Sequence, residues 1–275
     1  MINFTKMHGL GNDFVVIDAI HQDIALTAEQ IQALSDRHFG IGFDQLLLVE
    51  KPVSDIADFK YRIFNADGSE VAQCGNGARC FARFVHDKKL SDKNEIRVDT
   101  NAGQLLLCLD ADGQITVNMG IPRHQPAEIP LLAEQEARFY TATVNGIERA
   151  FGAVSMGNPH AVIQVNDIKN APVAETGEAL ENHPIFPERA NIGFMQIVDR
   201  SHIKLRVFER GAAETLACGS GACAAVVIGI EHQLLDRDVR VELPGGELRI
   251  SWAGRGEPVY MTGPAVSVFE GSINL

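Results

Sequence analysis

The stretch Lys60-Tyr61-Arg62-Ile63-Phe64-Asn65-Ala66-Asp67-Gly68-Ser69-Glu70-Val71-Ala72-Gln73-Cys74-Gly75-Asn76-Gly77-Ala78 decides the fold, because the chain carries it twice. The second copy, 144 residues on, runs Lys204-x-Arg206-x-Phe208, then Glu214, then Cys218-Gly219-x-Gly221-Ala222. Eight of nineteen aligned positions are identical, where ordinary residue frequencies give about one by chance. A repeat of this kind implies two copies of one structural unit.

Weaker blocks recur in the same order. Gly11-Asn12 with Val15-Val16-Ile17 resembles Gly157-Asn158 with Ala161-Val162-Ile163. Ile41-Gly42-Phe43-x-Gln45 matches Ile192-Gly193-Phe194-x-Gln196, and Gly103-x-Leu105 matches Gly246-x-Leu248. Met119-Gly120 resembles Met261-x-Gly263. The shared order extends the duplication over most of the chain.

Inside each copy, Phe59, Tyr61 and Ile63 alternate with Lys60 and Arg62, as Ile203, Leu205 and Val207 alternate with Lys204 and Arg206. Period-two alternation predicts a strand with one buried face. Asn65 to Ser69 predicts a turn. Ala78–His86 and Ala222–Glu231, rich in Ala or aliphatic residues, predict helices. Ile115-x-Val117-x-Met119 and Phe139-x-Thr141-x-Thr143 predict further strands. The fold class is therefore mixed α/β (α+β) with a largely antiparallel sheet. Rossmann winding is not expected, since strands do not alternate regularly with long helices. Gly9-x-Gly11 and Gly40-x-Gly42 do not complete a dinucleotide fingerprint.

The bulk numbers narrow the function. At 275 residues the chain has room for two domains, and 45% hydrophobic content supports a sizeable core. A net charge of −12 with no basic run argues against nucleic acid and membrane surfaces as partners. The N-terminus lacks a basic start and apolar run, and no apolar stretch is long enough to span a bilayer, so a cytoplasmic location is expected. Five cysteines in a reducing compartment do not form a disulfide scaffold.

A cysteine at a helix start is favoured as thiolate by the partial positive charge there, which lowers its pKa from about 8.5 toward neutrality. Glycines after it let backbone N–H groups approach a ligand, and such groups hold a carboxylate. The motif can therefore bind an α-carboxylate, put a thiolate beside the α-carbon, and stabilise the carbanion whose charge spreads into that carboxylate. Inverting a stereocentre needs an acid/base group on each face of the carbon. Two lobes, one carrying Cys74 and one Cys218, supply such a pair, with one proton shared between two thiols.

Other readings of the cysteines fare less well. Cys80, Cys108 and Cys223 read as small buried hydrophobes, Cys80 and Cys223 breaking the repeat. Zinc spacing is absent, since the Cys74–Cys80 and Cys218–Cys223 separations differ. No metal is expected. Cys74 to Arg79 has the look of a phosphate loop with a nucleophile, but the second copy lacks the arginine. A thiol redox protein and a non-catalytic amino-acid binding module remain as alternatives from other classes.

Asn65-x-Asp67-Gly68-Ser69-x₄-Cys74-Gly75-Asn76-Gly77-x-Arg79 resembles the signature of diaminopimelate epimerases. Cys218-Gly219-Ser220-Gly221 falls where that family has its second catalytic cysteine, and Met7 to Phe14 is similar to the family's opening. The resemblance implies two pseudo-symmetric lobes, each a curved, mostly antiparallel sheet round a central helix. It places residues 1–118 with 265–275 in the Cys74 lobe and 119–264 in the Cys218 lobe. It implies a homodimer, no pyridoxal phosphate or other cofactor, and interconversion of LL- and meso-2,6-diaminopimelate in lysine and cell-wall synthesis.

By the same resemblance Cys74 and Cys218 are the catalytic pair. Asn12 and Gln45 hold the reacting end, with the backbone of Gly75, Asn76, Gly219 and Ser220 on its carboxylate. Asn65, Asn158, Asn191, Glu209 and Arg210 recognise the distant end. Glu209-Arg210 stands where the first copy has Asn65-Ala66. That asymmetry suits a second amino-acid head, since Arg holds a carboxylate and Glu an ammonium; an exposed ion pair is the plainer alternative. His160, and Glu209 again, are candidates for tuning the acid/base pair. The rival within this chemistry is a two-cysteine racemase of proline-like amino acids, whose ring substrate has no use for Glu209-Arg210.

Overall fold

A computed structural model describes residues 1–72 and 74–274. Gln73 of the long motif and Leu275 of the terminal segment lie outside the described residues. The chain divides into two compact units, Met1–Asn118 with Thr262–Leu275, and Met119–Met261. Each is mostly sheet with two helices.

In chain order the first unit contains β1 (Ile2–Gly9), β2 (Asn12–Asp18), α1 (Ala28–Ser35), β3 (Gln45–Glu50), β4 (Phe59–Asn65), β5 (Glu70–Val71), α2 (Gly75–Asp87), β6 (Glu95–Thr100), β7 (Gly103–Leu109) and β8 (Ile115–Asn118). The second runs through β9 (Tyr140–Val144), β10 (Ile147–Ser155), β11 (Pro159–Gln164), α3 (Val173–Glu181), β12 (Asn191–Asp199), β13 (His202–Glu209), β14 (Ala213–Thr215), α4 (Gly219–Glu231), β15 (Asp238–Leu243), β16 (Gly246–Trp252) and β17 (Val259–Gly263). The last strand, β18 (Val266–Ile273), belongs to the first unit.

The two pairing schemes coincide from β1 through β7 and from β10 through β16. In the first unit β1/β2, β3/β4, β4/β5, β6/β7 and β7/β8 are antiparallel, while β2/β3 and β4/β6 are parallel. In the second, β10/β11, β12/β13, β13/β14 and β15/β16 are antiparallel, and β11/β12 and β13/β15 parallel. The outer partner of β1 is β18, from the far end of the chain; that of β10 is β9, its neighbour in sequence. Parallel neighbours need a crossover, usually helical. Here α1 and α2 make the two crossovers of one unit, and α3 and α4 those of the other. The sheet is thus more mixed than the alternating segments alone foretell, because short crossover helices leave little periodic signal.

The second crossover helix of each unit is its core. On α2, Ala78, Phe81, Ala82, Phe84 and Val85 are buried, and the polar side is narrow: Arg83, His86 and Asp87. Phe81 meets Tyr61 and Phe59 edge-on at 5.4 and 6.2 Å. On α4 every residue from Gly221 to Gly229 is buried, the mark of a helix surrounded by apolar neighbours. Both helices begin three residues before the expected Ala78 and Ala222, directly after the cysteine.

The structure moves one weak repeat block. Gln45 pairs across β3/β4 with Asn65, and the β12/β13 register Ile192↔Phe208 puts Asn191 opposite Glu209. The spatial counterpart of Gln45 is therefore Asn191, and the sequence match to Gln196 is a slip of five residues. Gln196 serves elsewhere, accepting from the Ile168 N–H at 2.9 Å.

Candidate active site

In the first unit the β4–β5 turn delivers the chain to the start of α2. Cys74 occupies the N-cap in extended conformation (φ −143°, ψ 123°), and the Ala78 N–H donates to its carbonyl at 2.8 Å. The leading N–H groups of any helix lie ahead of its own i→i−4 pattern and point out of its start. Tyr61, fully buried beneath, exchanges two 3.3 Å bonds with the Cys74 backbone: its hydroxyl accepts from the N–H and donates to the carbonyl. Burial, and then charge on Cys74, push the Tyr61 hydroxyl well above its usual pKa, so it stays a neutral donor.

Cys74 itself is half-buried. Its Sγ lies 3.8 Å from Asn12 Oδ1, and that oxygen also accepts from Asn76 Nδ2 at 3.2 Å. Asn12 reaches this point from a tight turn whose central residues, Leu10 (φ 57°) and Gly11 (φ 89°), are both left-handed. Gln45 and Asn65 form a second pair, Gln45 Nε2 donating to Asn65 Oδ1 at 2.9 Å, and Asn65 Nδ2 donates onward to Ser69 Oγ at 3.1 Å.

In the second unit Cys218 caps α4 in the same way (φ −111°, ψ 105°), with the Ala222 N–H on its carbonyl at 3.0 Å. It is buried, 3% exposed, and its thiol donates to Glu209 Oε2 at 3.0 Å. Thr215 Oγ1 donates to the other oxygen of Glu209. Burial, and then the Glu209 carboxylate, hold the Cys218 thiol well above its ordinary pKa; the Gly221 N–H and Ser220 hydroxyl work the other way and lose. The expected lowering by the helix start is thus overruled at Cys218. A partial charge at a helix end is worth less than a full carboxylate in contact in a dry site.

His160, 1% exposed, stands 2.9 Å from Asn158 Oδ1, and Asn158 Nδ2 donates to Ser220 Oγ at 3.4 Å. An amide oxygen only accepts, so the His160 Nε2 is the donor. Burial and then Arg210 push His160 down to about 3, keeping the ring neutral. Asn191, also buried, ties Pro159 to Arg210: its Nδ2 donates to the Pro159 carbonyl at 3.0 Å and its Oδ1 accepts the Arg210 N–H at 3.0 Å. The Arg210 head is exposed and donates to the Glu188 carbonyl.

Within each unit, then, the expected residues cluster. Asn12, Cys74 and Asn76 touch, and Gln45 touches Asn65. Cys218, Glu209, Ser220, Asn158 and His160 form one hydrogen-bonded chain. The resemblance puts Glu209 at the distant substrate head, but its carboxylate sits on the thiol. Gly77 and Gly221 have a packing duty that spacing does not reveal: an added Cβ would meet Tyr61 Oη at 2.8 Å or Val207 Cγ2 at 3.0 Å. Tyr61, Thr215 and Asp44 are contacts that sequence reasoning missed. Asp44 was legible only as the unassigned position beside Gln45. Among the described residues no group of three or more His, Cys, Asp or Glu is placed to hold a metal ion.

The pattern of the diaminopimelate epimerase family matches residues 4–125 and 152–268. The chain belongs to that family. It is 61% identical over 274 residues to the diaminopimelate epimerase of Nitrosomonas europaea, covering 100% of this chain and 99% of that one. Identity to the diaminopimelate epimerase of an Azoarcus species is also 61%, with the same coverage. Among solved structures it resembles a hydroxyproline epimerase from Agrobacterium vitis, with a TM-score of 0.72 at 15% identity, covering 98% of this chain and 91% of that one. A phenazine biosynthesis protein of the PhzF family from Bacillus anthracis gives a TM-score of 0.70 at 18% identity, covering 100% and 99%. At those identities the likeness concerns the fold alone. For a diaminopimelate epimerase family member, the cysteine-capped helix in each unit is the feature whose chemistry has to be explained.

Proposed function

We propose that the chain interconverts LL- and meso-2,6-diaminopimelate by moving the α-proton between the thiols of Cys74 and Cys218, with no pyridoxal phosphate or metal. The observation that carries the reading is the duplicated helix start: a cysteine at the N-cap of the central helix in each unit, in the same Gly-rich setting. Family membership and 61% identity to diaminopimelate epimerases support it.

In one direction Cys74, as thiolate, takes the α-proton, and Cys218, kept a thiol by burial and Glu209, gives one to the opposite face. In the other direction Cys218 must first lose its proton. Glu209 Oε2, 3.0 Å away, is the group in contact to take it. The α-carboxylate rests on the backbone N–H groups of Gly75, Asn76, Gly219 and Ser220, which oppose the charge of the carbanion as it forms. Asn12 and Gln45 hold the reacting end. Asn65, Asn158, Asn191 and Arg210 take the distant head. Glu209, placed there by the resemblance, serves the thiol in this reading.

By the family resemblance the enzyme works as a homodimer in the cytoplasm, supplying lysine and cell-wall precursors. Among the described residues no helix is long and apolar enough to cross a membrane.

The test is ¹H NMR of LL-diaminopimelate in D₂O with the reduced protein, chelator present and no pyridoxal phosphate added. Deuterium entering one α-carbon while the meso isomer grows is the expected result. No exchange from a folded, reduced sample overturns the substrate assignment and directs the search to proline-type substrates.

A further inference from the structure

We propose that Asp44 is a positioning residue that fixes which end of the Asn12 amide faces Cys74. Its consequence for turnover rests on the epimerase reading; its consequence for the thiol does not. Asn12 Nδ2 donates to Asp44 Oδ2 at 2.9 Å, and the opposite end, Oδ1, meets both Cys74 Sγ and Asn76 Nδ2. A carboxylate only accepts hydrogen bonds, so Asp44 can hold the NH₂ end of an amide and repels the oxygen end. While Asp44 is ionised, Asn12 must present an acceptor beside the thiol.

Asp44 is itself fixed from several sides. Its Oδ2 also accepts the Asp13 N–H at 3.1 Å, and its own N–H donates to Asp13 Oδ1 at 3.0 Å. Arg37 Nη2 bridges Asp44 Oδ1 at 2.7 Å and Asp13 Oδ1 at 2.8 Å, with Nη1 on Asp13 Oδ2 at 2.9 Å. Lys6 closes the group from below, bonding Asp13 Oδ2 and the Gly42 carbonyl. Burial works to raise the Asp13 carboxyl, and the bonds from Arg37 and Lys6 outweigh it, so Asp13 stays charged well below the usual carboxylate range. The loop from Arg37 to Asp44 is thereby pinned to the start of β2, which carries Asn12.

Both faces of this arrangement bear on the reaction. An oxygen beside Cys74 accepts from the thiol and is the wrong partner for a thiolate, so it favours the protonated form. It is also the right partner for an α-ammonium brought to the same place. A flipped amide would do the reverse: its NH₂ would stabilise the thiolate and repel an ammonium. Ionisable groups that interact with Cys74 include Tyr61 of β4, under its backbone, and Cys80 of α2, and neither is altered below.

The test measures the pH dependence of Cys74 alkylation by iodoacetamide, read on the Cys74 peptide by mass spectrometry, in intact wild-type protein and three variants. Asp44→Asn removes the charge but keeps an oxygen for Asn12 Nδ2 and the Asp13 N–H, so the Asn12 amide stays in place and alkylation near neutral pH changes by less than about twofold. Asp44→Ala removes the same charge and the acceptor together, so the Asn12 amide can turn its NH₂ to the sulfur and alkylation rises about fivefold. Asn12→Asp with Asp44→Ala fixes an acceptor beside the sulfur, and alkylation falls back to or below the wild-type level. Equal profiles for Asp44→Asn and Asp44→Ala overturn the proposal, since charge alone would then explain the effect; a double variant as reactive as Asp44→Ala overturns it too, since the group that residue 12 turns to the sulfur would then not matter. Deuterium exchange on LL-diaminopimelate is followed in parallel, where Asp44→Ala should lose about tenfold in kcat/KM, mostly through KM. Silence of the wild type in that assay counts against the epimerase reading, and the alkylation series still decides the role of Asp44.

Discussion

The two cysteine sites are built on one plan and furnished with different neighbours. Each cysteine caps the central helix of its unit, and each has an asparagine delivered by an equivalent turn, between β1 and β2 for Asn12 and between β10 and β11 for Asn158. At Cys74 that asparagine, Asn12, has its nitrogen held by Asp44 and offers an oxygen. At the Cys218 site the counterpart, Asn158, has its oxygen held by His160 and offers its nitrogen to Ser220. Cys74 is half-buried, with amide neighbours. Cys218 is buried against a carboxylate, because Glu209 stands where the first unit has Asn65. Duplication supplied one helix-capping plan for both thiols; divergence gave each its own neighbours, an amide oxygen at Cys74 and a carboxylate at Cys218.

The comparison breaks most sharply if either cysteine is dispensable. Cys74→Ser and Cys218→Ser should each lower kcat for epimerisation by about a thousandfold or more, since a hydroxyl is a far weaker acid and base at neutral pH. Steady-state rates from both isomers check this, and near-normal turnover by either variant would end the two-base reading. Glu209→Gln should lower kcat by about thirtyfold and move Cys218 alkylation to lower pH, the negative charge being gone. Cys74 alkylation should hardly move, and equal shifts at both thiols would show that the sites are not tuned separately.

His160 tests the asymmetry through stability. Its folded pKa is depressed to about 3 from the ordinary 6.5, so below 6.5 the unfolded chain binds a proton that the folded one refuses. The stabilising contribution is present above pH 6.5 and is lost as pH falls toward 3. Between pH 7 and pH 5 this amounts to about 2 kcal/mol. Urea unfolding at the two pH values should show it, and His160→Gln should flatten the acid limb; an unchanged slope would mean the ring is not held neutral. The smallest effect belongs to the glycines. Gly77→Ala should cost about 1 kcal/mol or somewhat more, because its Cβ would lie 2.8 Å from the rigidly held Tyr61 hydroxyl. Gly221→Ala, at 3.0 Å from a Val207 methyl, should cost less. The two midpoints in denaturant decide the order.

Much of this was legible along the chain. The repeat identified the two strands β4 and β13, the turns after them and the helices α2 and α4, because alternation and aliphatic runs broken only by Gly229 are local signals. Cys74 and Cys218 were legible for the same reason: a reactive residue recurs in one local setting. The match of Gln45 to Gln196 failed because short motifs align by letters, whereas strands align by register, and register made Asn191 the true counterpart. Glu209 was visible as an asymmetry, but not its target, since the carboxylate reaches the thiol by the folding of β13 back through β14. Asp44 showed only as the unassigned position beside Gln45; its importance lies in contacts with Asn12, Asp13 and Arg37, all distant from it in the loop or across strands.

By itself, then, the sequence determined the duplication, the strand-and-helix plan of each unit and the identity of the two thiols, since these depend on periodicity and on neighbours within a few residues. The tertiary structure decided that Cys218 is held protonated, which way each asparagine faces and what the second glycine of each motif is for. Those depend on burial and on the direction of single hydrogen bonds between residues up to 62 positions apart, as from Cys74 to Asn12 and from Asn158 to Ser220, and such pairings exist only once the chain has closed on itself.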